Sequence, residues 1–113
     1  MTGLKQWDVV KVRINPEDRD EHFAVILSAT EVAAGTWPKV NVLYGSTKRP
    51  AKDLRPGQFL LDEADGVEHL TVFDCLFFPV IRKSQISKIT GSVSPARRRA
   101  LHRVIAEALR LFQ

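Results

Sequence analysis

The sequence is poor in cysteine. Cys75 is its only cysteine, which excludes an intramolecular disulfide and a thiolate metal cluster built from one copy of the chain. It lies among apolar residues, a setting typical of an inert core cysteine rather than of a nucleophile. The three histidines are far apart and lack metal-ligand spacing. We therefore expect neither a metal nor another cofactor.

Long hydrophobic runs are also absent. The longest apolar run, residues 75–81, contains Pro79 and falls well short of the roughly 20 residues of a transmembrane helix. The N-terminus lacks the apolar core of a signal peptide. Because 44% of the residues are hydrophobic and 27% are charged, the composition is typical of a globular domain. We expect a single cytoplasmic domain over residues 1–113, with no membrane partner.

Charged side chains are unevenly distributed along the chain. The formal net charge is +4, which permits a polyanionic partner such as a nucleic acid. Carboxylates crowd residues 17–21, whereas basic side chains crowd residues 48–55 and 82–110. Four basic residues could follow a phosphate backbone or simply face solvent: Lys48, Arg49, Lys52 and Arg55. No aromatic residue lies among them, so this segment is not expected to stack on bases.

The hydrophobic pattern predicts five to seven short strands. Alternating or apolar segments occur at residues 7–14, 23–28, 39–44, 58–61, 67–81 and 86–89. Pro79 predicts a break or an edge position within the long fifth segment. Residues 62–66 end in Asp-Gly, which indicates a turn, and residues 31–38 are predicted to form a loop because they contain Gly35 and Pro38.

The last part of the chain predicts an amphipathic helix. Ser94 suits the N-cap and Pro95 the first helical position. An apolar stripe follows at helical spacing, formed by Leu101, Val104, Ile105, Ala108, Leu111 and Phe112. Residues 97–99 are three arginines at the positive end of the helix dipole, which suggests an acidic partner or a solvated face. The expected fold is mainly β (α+β): an antiparallel sheet, partly closed like a barrel, with the helix packed on it.

Four segments, in this order, carry a resemblance to a known family. Residues 7–16 fit an opening strand G-D-[IV]-[VW]-x-V-x-[LF]-[ND]-P, with Trp7 where glycine is usual. Residues 22–28 occupy the register of R-P-[AV]-[LV]-[VI]-[LI]-[ST]. Residues 44–47 are similar to a turn with Ser or Thr, and residues 83–94 are similar to K-S-R-L-x-K-x-x-G-x-[LV]-S before a helix. Over nearly the whole chain, the sequence thus resembles the PemK/MazF-type toxins of bacterial toxin–antitoxin systems.

The resemblance implies an SH3-like β-barrel with a C-terminal helix, usually a homodimer. It also implies a metal-independent endoribonuclease that cuts single-stranded RNA, leaves a 2′,3′-cyclic phosphate, and is neutralised by an acidic antitoxin peptide. His22 stands where the family has an arginine thought to stabilise the reacting phosphate, and Phe23 stands where it has proline. The preceding loop lacks the family's usual Gln-x-Gly and carries four carboxylates instead.

Cleavage by 2′-hydroxyl attack needs a base, an acid and donors to the phosphoryl oxygens. His22 could act as the acid or the base, and Ser46 and Thr47 match the family's Ser/Thr position for phosphate donors. Asp74 matches an acidic or Gln position, and Arg19 is the arginine nearest to the replaced one. Each also has an ordinary structural interpretation, as a strand-edge histidine, turn hydroxyls, an ion-paired carboxylate or a loop cation.

Two alternatives to the nuclease remain open. The first is a protein of the same fold that has lost cleavage and binds a nucleic acid or a protein partner. The second is a poison of DNA gyrase, because toxins of that class share the fold, although the sequence has no feature particular to it.

Overall fold

A computed structural model of the chain describes residues 3–46, 54–68 and 70–110. Within these residues there are seven strands and two helices. In chain order they are β1 (Asp8–Val12), β2 (His22–Ile26), α1 (Thr30–Ala33), β3 (Lys39–Ser46), β4 (Gln58–Leu61), β5 (Thr71–Asp74), β6 (Val80–Arg82), β7 (Ile86–Ser92) and α2 (Pro95–Leu109). Two 3-10 turns lie at Glu63–Asp65 and Lys83–Gln85.

The seven strands form one antiparallel sheet. Its order is β4-β5-β3-β2-β1-β7, and β6 pairs with β3 beside this path. Strand β3 is the junction, because residues 39–41 pair with β6, residues 42–44 with β2, and residues 45–46 with β5. The predicted mainly β fold with a C-terminal helix is confirmed. The sheet is not fully closed over the described residues, since the outer strands β4 and β7 do not pair with each other there.

Two hydrophobic clusters cover the two faces of the sheet. Successive side chains of a strand point to opposite faces, so neighbouring residues of β1 enter different clusters. The first cluster comprises Leu4, Val10, Val12, Ala24, Ile26, Ala33, Val40, Val42, Ile81 and Ile86. The second comprises Val9, Phe23, Val25, Leu43, Leu61, Val67, Phe73, Cys75, Val93 and Leu101. The first strand is therefore more than half-buried: Val9 and Val10 are both inaccessible to solvent.

Two predicted boundaries differ from those in the structure. The segment predicted as a loop contains α1, because the backbone N–H groups of Val32 and Ala33 both donate to the Ala29 carbonyl oxygen. Strand β3 continues through Gly45, which was expected to end it. This glycine pairs with Phe73 of β5, and a Cβ added there would lie 2.6 Å from Thr71 Cγ2. Tertiary pairing thus extends the strand where the local sequence indicates a turn.

The remaining strand predictions hold. Residues 58–61 form β4 as expected, the segment 67–81 divides into β5 and the start of β6 with Pro79 between them, and the last strand extends to Ser92. The basic segment before β4 falls largely at residues 47–53, outside the described residues. No helix in the described ranges combines the length and the apolar character needed to cross a membrane.

Helix α2 is attached to the sheet by a buried carboxylate. Ser94 and Pro95 occupy the predicted N-cap and first position, but the Ser94 side chain makes no capping hydrogen bond. Instead the Ser94 backbone N–H donates to Asp65 Oδ1 at 3.3 Å, and Arg97 donates to Asp65 and, at 2.9 Å, to Asp62 Oδ2. Asp65 is only 1% exposed. A carboxylate from the β4–β5 connection therefore caps the helix in place of the serine hydroxyl.

We call the cluster of Arg97, Asp62 and Asp65 the clamp. Its hydrogen bonds also favour the charged form of Asp62. Hydrogen bonds from Arg97 and from the Ala64 backbone N–H lower the pKa of Asp62. The turn itself fits tightly against β7, since Gly66 has φ 99° and a Cβ there would lie 2.7 Å from Gly91 Cα. Together these contacts set the position of α2 relative to the sheet.

We predict that Asp65→Ala lowers the free energy of unfolding by about 2 kcal/mol, because it removes a buried acceptor of a charged hydrogen bond and of a helix cap. Urea denaturation measures the change. Asp62→Ala is the matched control: it removes a partly exposed carboxylate that binds the same arginine and should cost clearly less. Equal losses in the two variants would contradict the assignment of Asp65 as the anchor.

Candidate active site

A cleft of about 430 Å³ opens where β1 ends, β2 begins and β3 ends; we call it the strand cleft. Its lining combines three cations, three carboxylates, a histidine, two hydroxyls, a glycine and an aromatic ring. These residues are Lys11, Arg13, Arg19, Asp20, Glu21, His22, Phe23, Gly45, Ser46, Glu68 and Thr71. The strand cleft therefore gathers chemistry from segments that are far apart in the chain.

His22 is the first residue of β2 and pairs with Val12 of β1. Its imidazole packs against the Tyr44 ring, with centroids 5.0 Å apart and planes inclined at 37°. This contact and the strand pairing orient the half-buried ring at the cleft wall. Partial burial, with the negative charge of Asp18, raises the pKa of Tyr44. The phenol beside His22 is thus protonated at neutral pH.

Opposite charges nearly balance in the strand cleft. Lys11 forms a salt bridge with Glu68, and this hydrogen bond raises the pKa of Lys11. Arg13 donates to the backbone oxygen of Asp18, and Glu21 accepts from the Ser87 hydroxyl. Two of the three cations are thereby ordered by partners within the protein.

Arg19 differs from the other two cations of the strand cleft. It is exposed and has neither an ion-pair nor a hydrogen-bond partner among the residues that the structure describes. It is therefore the guanidinium of the cleft that a ligand could engage without breaking an existing contact.

The structure brings together some of the residues predicted from the sequence and separates others. His22, Arg19 and Ser46 share the strand cleft. Asp74 and Arg55 line a neighbouring cleft of about 360 Å³, which Ser46 also lines. Asp74 does not line the strand cleft, and its Oδ1 accepts from the Leu76 backbone N–H at 2.8 Å, which is ordinary turn chemistry. Four further candidates lie outside the described residues: Thr47, Lys48, Arg49 and Lys52.

Sequence reasoning missed several residues of the strand cleft. Lys11 and Arg13 had a detectable signal, because they alternate with apolar residues along the first strand. Glu68 and Thr71 had none, since only the pairing of β5 with β3 brings their segment to the end of β3. Lys11 Nζ also lies 5.6 Å from the centroid of the Phe23 ring, within cation–π range.

Two other chemistries have no support in this architecture. Cys75 is fully buried, and burial, with the nearby charge of Asp74, raises the pKa of its thiol to about 12. The reactive thiolate is thus negligible at neutral pH. In residues 3–46, 54–68 and 70–110, no three or more His, Cys, Asp or Glu side chains are grouped so that they could hold a metal ion.

Solved structures with the same architecture include a bacterial toxin and two endoribonucleases. The Mycobacterium tuberculosis toxin MazF-mt6 superposes with a TM-score of 0.73 at 16% identity, over 90% of this chain and 95% of that chain. The chain has the MazF fold. A mycobacterial endoribonuclease in complex with its cognate antitoxin shares the MazF fold, with a TM-score of 0.76 at 17% identity over 95% of each chain.

A second mycobacterial endoribonuclease superposes with a TM-score of 0.75 at 16% identity, over 96% of this chain and 93% of that chain. No family model matches the sequence, and no curated protein does. The MazF fold expected from the sequence resemblance is thus confirmed by structural superposition. The chemistry within that MazF fold has to be argued from the residues of the strand cleft.

We predict that Cys75 in the native protein does not react with a thiol reagent at pH 8, because a buried thiol with a raised pKa supplies almost no accessible thiolate. Absorbance of the released chromophore measures the reaction. The same protein in denaturant should react fully, and this control shows that the Cys75 thiol was not already oxidised. Equal rates in the folded and unfolded chain would contradict the burial of this side chain.

Proposed function

We propose that the protein is a MazF-like toxin that cuts single-stranded RNA at the strand cleft without a metal. The observation that carries the proposal is the meeting of His22, Arg19 and Ser46 in one cleft. Two proteins of the same fold are named endoribonucleases. The proposal thus combines a shared fold with a set of side chains suited to the reaction.

The proposed reaction is attack by a ribose 2′-oxygen on the neighbouring phosphorus. The 2′-hydroxyl loses its proton, the new P–O bond closes a 2′,3′-cyclic phosphate, and the bond to the 5′-oxygen breaks. The leaving oxygen takes up a proton to become a 5′-hydroxyl. His22 carries out one of these two proton transfers, because imidazole exchanges protons near neutral pH.

The other residues of the site act on charge. Negative charge builds up on the phosphoryl oxygens during the attack, and donors directed at them lower the barrier. Arg19 supplies a guanidinium, which can hold two oxygens at once, and Ser46 supplies a hydroxyl. Asp20 and Glu21 directly precede His22 and line the same cleft, so they are candidates for the second proton transfer.

The RNA strand would continue from the strand cleft past Ser46. Ser46 lines both clefts, and Arg55 and Asp74 line the second one. Arg55 therefore remains a proposed phosphate contact, and Asp74 contributes to the substrate track rather than to proton transfer beside His22. Thr47, Lys48, Arg49 and Lys52 remain proposed RNA contacts on sequence grounds alone.

The proposed partners follow the same reasoning. One protein of the same fold was solved with its cognate antitoxin, and the positive net charge of this chain suits an acidic antitoxin peptide. We also propose that each chain is a single domain and that two copies form a homodimer in the cytoplasm. Sedimentation of the isolated chain, and of the chain with the acidic product of a neighbouring gene, would test both partners.

A second function is favoured by the balanced charges of the strand cleft. Asp20, Glu21 and Glu68 oppose its three cations and weaken its attraction for a phosphate backbone. A protein that binds a nucleic acid but does not cut it would tolerate this balance. Incubation with long single-stranded RNA in EDTA separates the two functions, because defined cuts require the nuclease.

We predict that His22→Asn and His22→Arg both slow cleavage by roughly 10²- to 10⁴-fold, the usual contribution of a positioned proton-transfer group. Electrophoresis of end-labelled RNA in EDTA measures the rate. The arginine variant separates two roles of His22. Arginine can donate hydrogen bonds to the phosphate, but it cannot transfer a proton near neutral pH. Activity retained in His22→Arg would reduce His22 to a phosphate contact, and intact RNA with the unaltered protein would leave only the binding function.

We predict that Asp20→Asn strengthens RNA binding at low salt by up to about fivefold, since two unit charges about 4 Å apart in water interact by about 1 kcal/mol. Fluorescence anisotropy with a labelled oligonucleotide measures the affinity. Glu31→Gln on α1 removes an equally exposed charge outside the strand cleft and serves as control. The gain should disappear at high salt, and a gain that persists there would rule out the electrostatic explanation.

A further inference from the structure

A third cleft, of about 380 Å³, lies beside α2; we call it the helix cleft. Its lining consists of Trp7, Arg98, Arg99, His102 and Arg103. No carboxylate is among these residues, in contrast to the strand cleft, where three carboxylates oppose three cations. The lining of the helix cleft is therefore positively charged.

The contacts of the α2 arginines separate structural from available cations. Arg97 is engaged by Asp62 and Asp65. Arg98 donates to the Val93 carbonyl oxygen at 2.6 Å and to Ser92 Oγ at 2.9 Å. These two guanidinium groups are held by the protein itself.

Arg99 and Arg103 are different. Both are exposed, and neither has an ion-pair or hydrogen-bond partner in the part of the chain that the structure describes. They are four residues apart on one helix, so they lie on the same face about 6 Å apart and repel each other. This repulsion disfavours the helix slightly, and a bound polyanion would relieve it.

Trp7 contributes an aromatic ring in an unusual backbone conformation. Its φ is 74°, in the left-handed region that bulky residues rarely adopt. Hydrogen bonds hold the backbone there, because its N–H donates to Ile26 O at 2.8 Å and its carbonyl accepts from Val93 N at 3.0 Å. A glycine would adopt this φ without strain, yet the position carries an indole that lines the helix cleft.

Trp7 of the helix cleft and Lys11 of the strand cleft lie at opposite ends of β1 on the same face of the sheet. His22 alternates with Phe23 and packs against Tyr44 beside the first cluster, so the strand cleft is open to both faces. Trp7 packs against the second cluster, which includes Val9 and Phe23, and Lys11 of the strand cleft lies over the Phe23 ring. Trp7 and Lys11 are four residues apart, or about 13 Å along an extended chain. One strand of nucleic acid a few nucleotides long can therefore reach both clefts.

We propose that the helix cleft binds single-stranded RNA beyond the point of cleavage, with phosphates on Arg99 and Arg103 and a base against Trp7. This rests on the proposed nuclease function for the identity of the strand. Arginine can hold two phosphate oxygens at once, and an indole stacks on any base. An acidic peptide would satisfy the arginines but offers nothing in particular to the indole. The helix cleft thus supplies the attraction for RNA that the balanced strand cleft lacks.

The test uses a labelled 2′-O-methyl RNA oligonucleotide, which cannot undergo 2′-hydroxyl attack, so binding is measured apart from cleavage. We expect Arg99→Gln with Arg103→Gln to weaken binding roughly tenfold at low salt. The slope of log affinity against log salt should fall by about 1.4, because two phosphate contacts contribute about 0.7 each on a single strand. Lys39→Gln with Lys88→Gln removes two exposed charges outside both clefts and should leave the slope unchanged.

Trp7 provides a second readout. In a Trp37→Phe background its fluorescence is the only tryptophan signal, and saturating oligonucleotide should quench it. Unchanged affinity and salt slope in the Arg99/Arg103 variant would overturn the proposal, as would unquenched Trp7 fluorescence. A glutamate-rich peptide whose binding is lost in that variant while oligonucleotide binding is kept would assign the cleft to a protein partner and equally overturn it.

Cleavage of a short unmodified RNA separates this proposal from the nuclease itself. If the unaltered protein does not cut but the Arg99/Arg103 variant loses oligonucleotide affinity, the helix cleft stands and the nuclease function fails. If the unaltered protein cuts and the variant binds and cuts equally well, the helix cleft fails and the nuclease function stands.

Discussion

The double burial of the central strands is the constraint on which the rest of the structure depends. Val9 and Val10 enter different clusters on opposite faces of the sheet, so a shift of one residue in the pairing would exchange the two hydrophobic surfaces. This locks the register of β1 against β2, and it places His22 opposite Val12 at the open end of the pair. The position of β3 is fixed in the same way, because it pairs with β2, β5 and β6.

Charged side chains are arranged differently in the strand cleft and on α2. In the strand cleft the cations face carboxylates, and Lys11 is paired with Glu68. On α2, Arg99 and Arg103 have no such partners among the described residues, while Arg97 is turned toward Asp65 by the clamp. For the proposed nuclease, a separate cationic surface would attract the strand at long range without crowding the phosphate in the nearly neutral strand cleft. The MazF fold thus accommodates a cleft more acidic than a ribonuclease would ordinarily favour.

Local patterns predicted the elements of the fold better than the membership of the site. Ser94 and Pro95 marked the start of the helix correctly, but the cap came from Asp65, a residue 29 positions away. His22 and Arg19 were identifiable because they stand beside a strand start, and the structure brings them into one cleft with Ser46. Asp74 was placed with them on sequence resemblance, yet it lines the next cleft. Strand β5 pairs with β3 only at the last two residues of β3, and Asp74 lies outside that pairing.

The sequence by itself determined which segments are strands and which is the long helix, since the two-residue and 3.6-residue periods of apolar side chains are local properties. It also determined the single buried cysteine and the basic surplus. Only the tertiary structure decided that the sheet leaves β4 and β7 unpaired with each other over the described residues, that Trp7 adopts a positive φ, and which arginines of α2 are engaged. These depend on pairings between distant residues, and a short window of sequence carries no information about them.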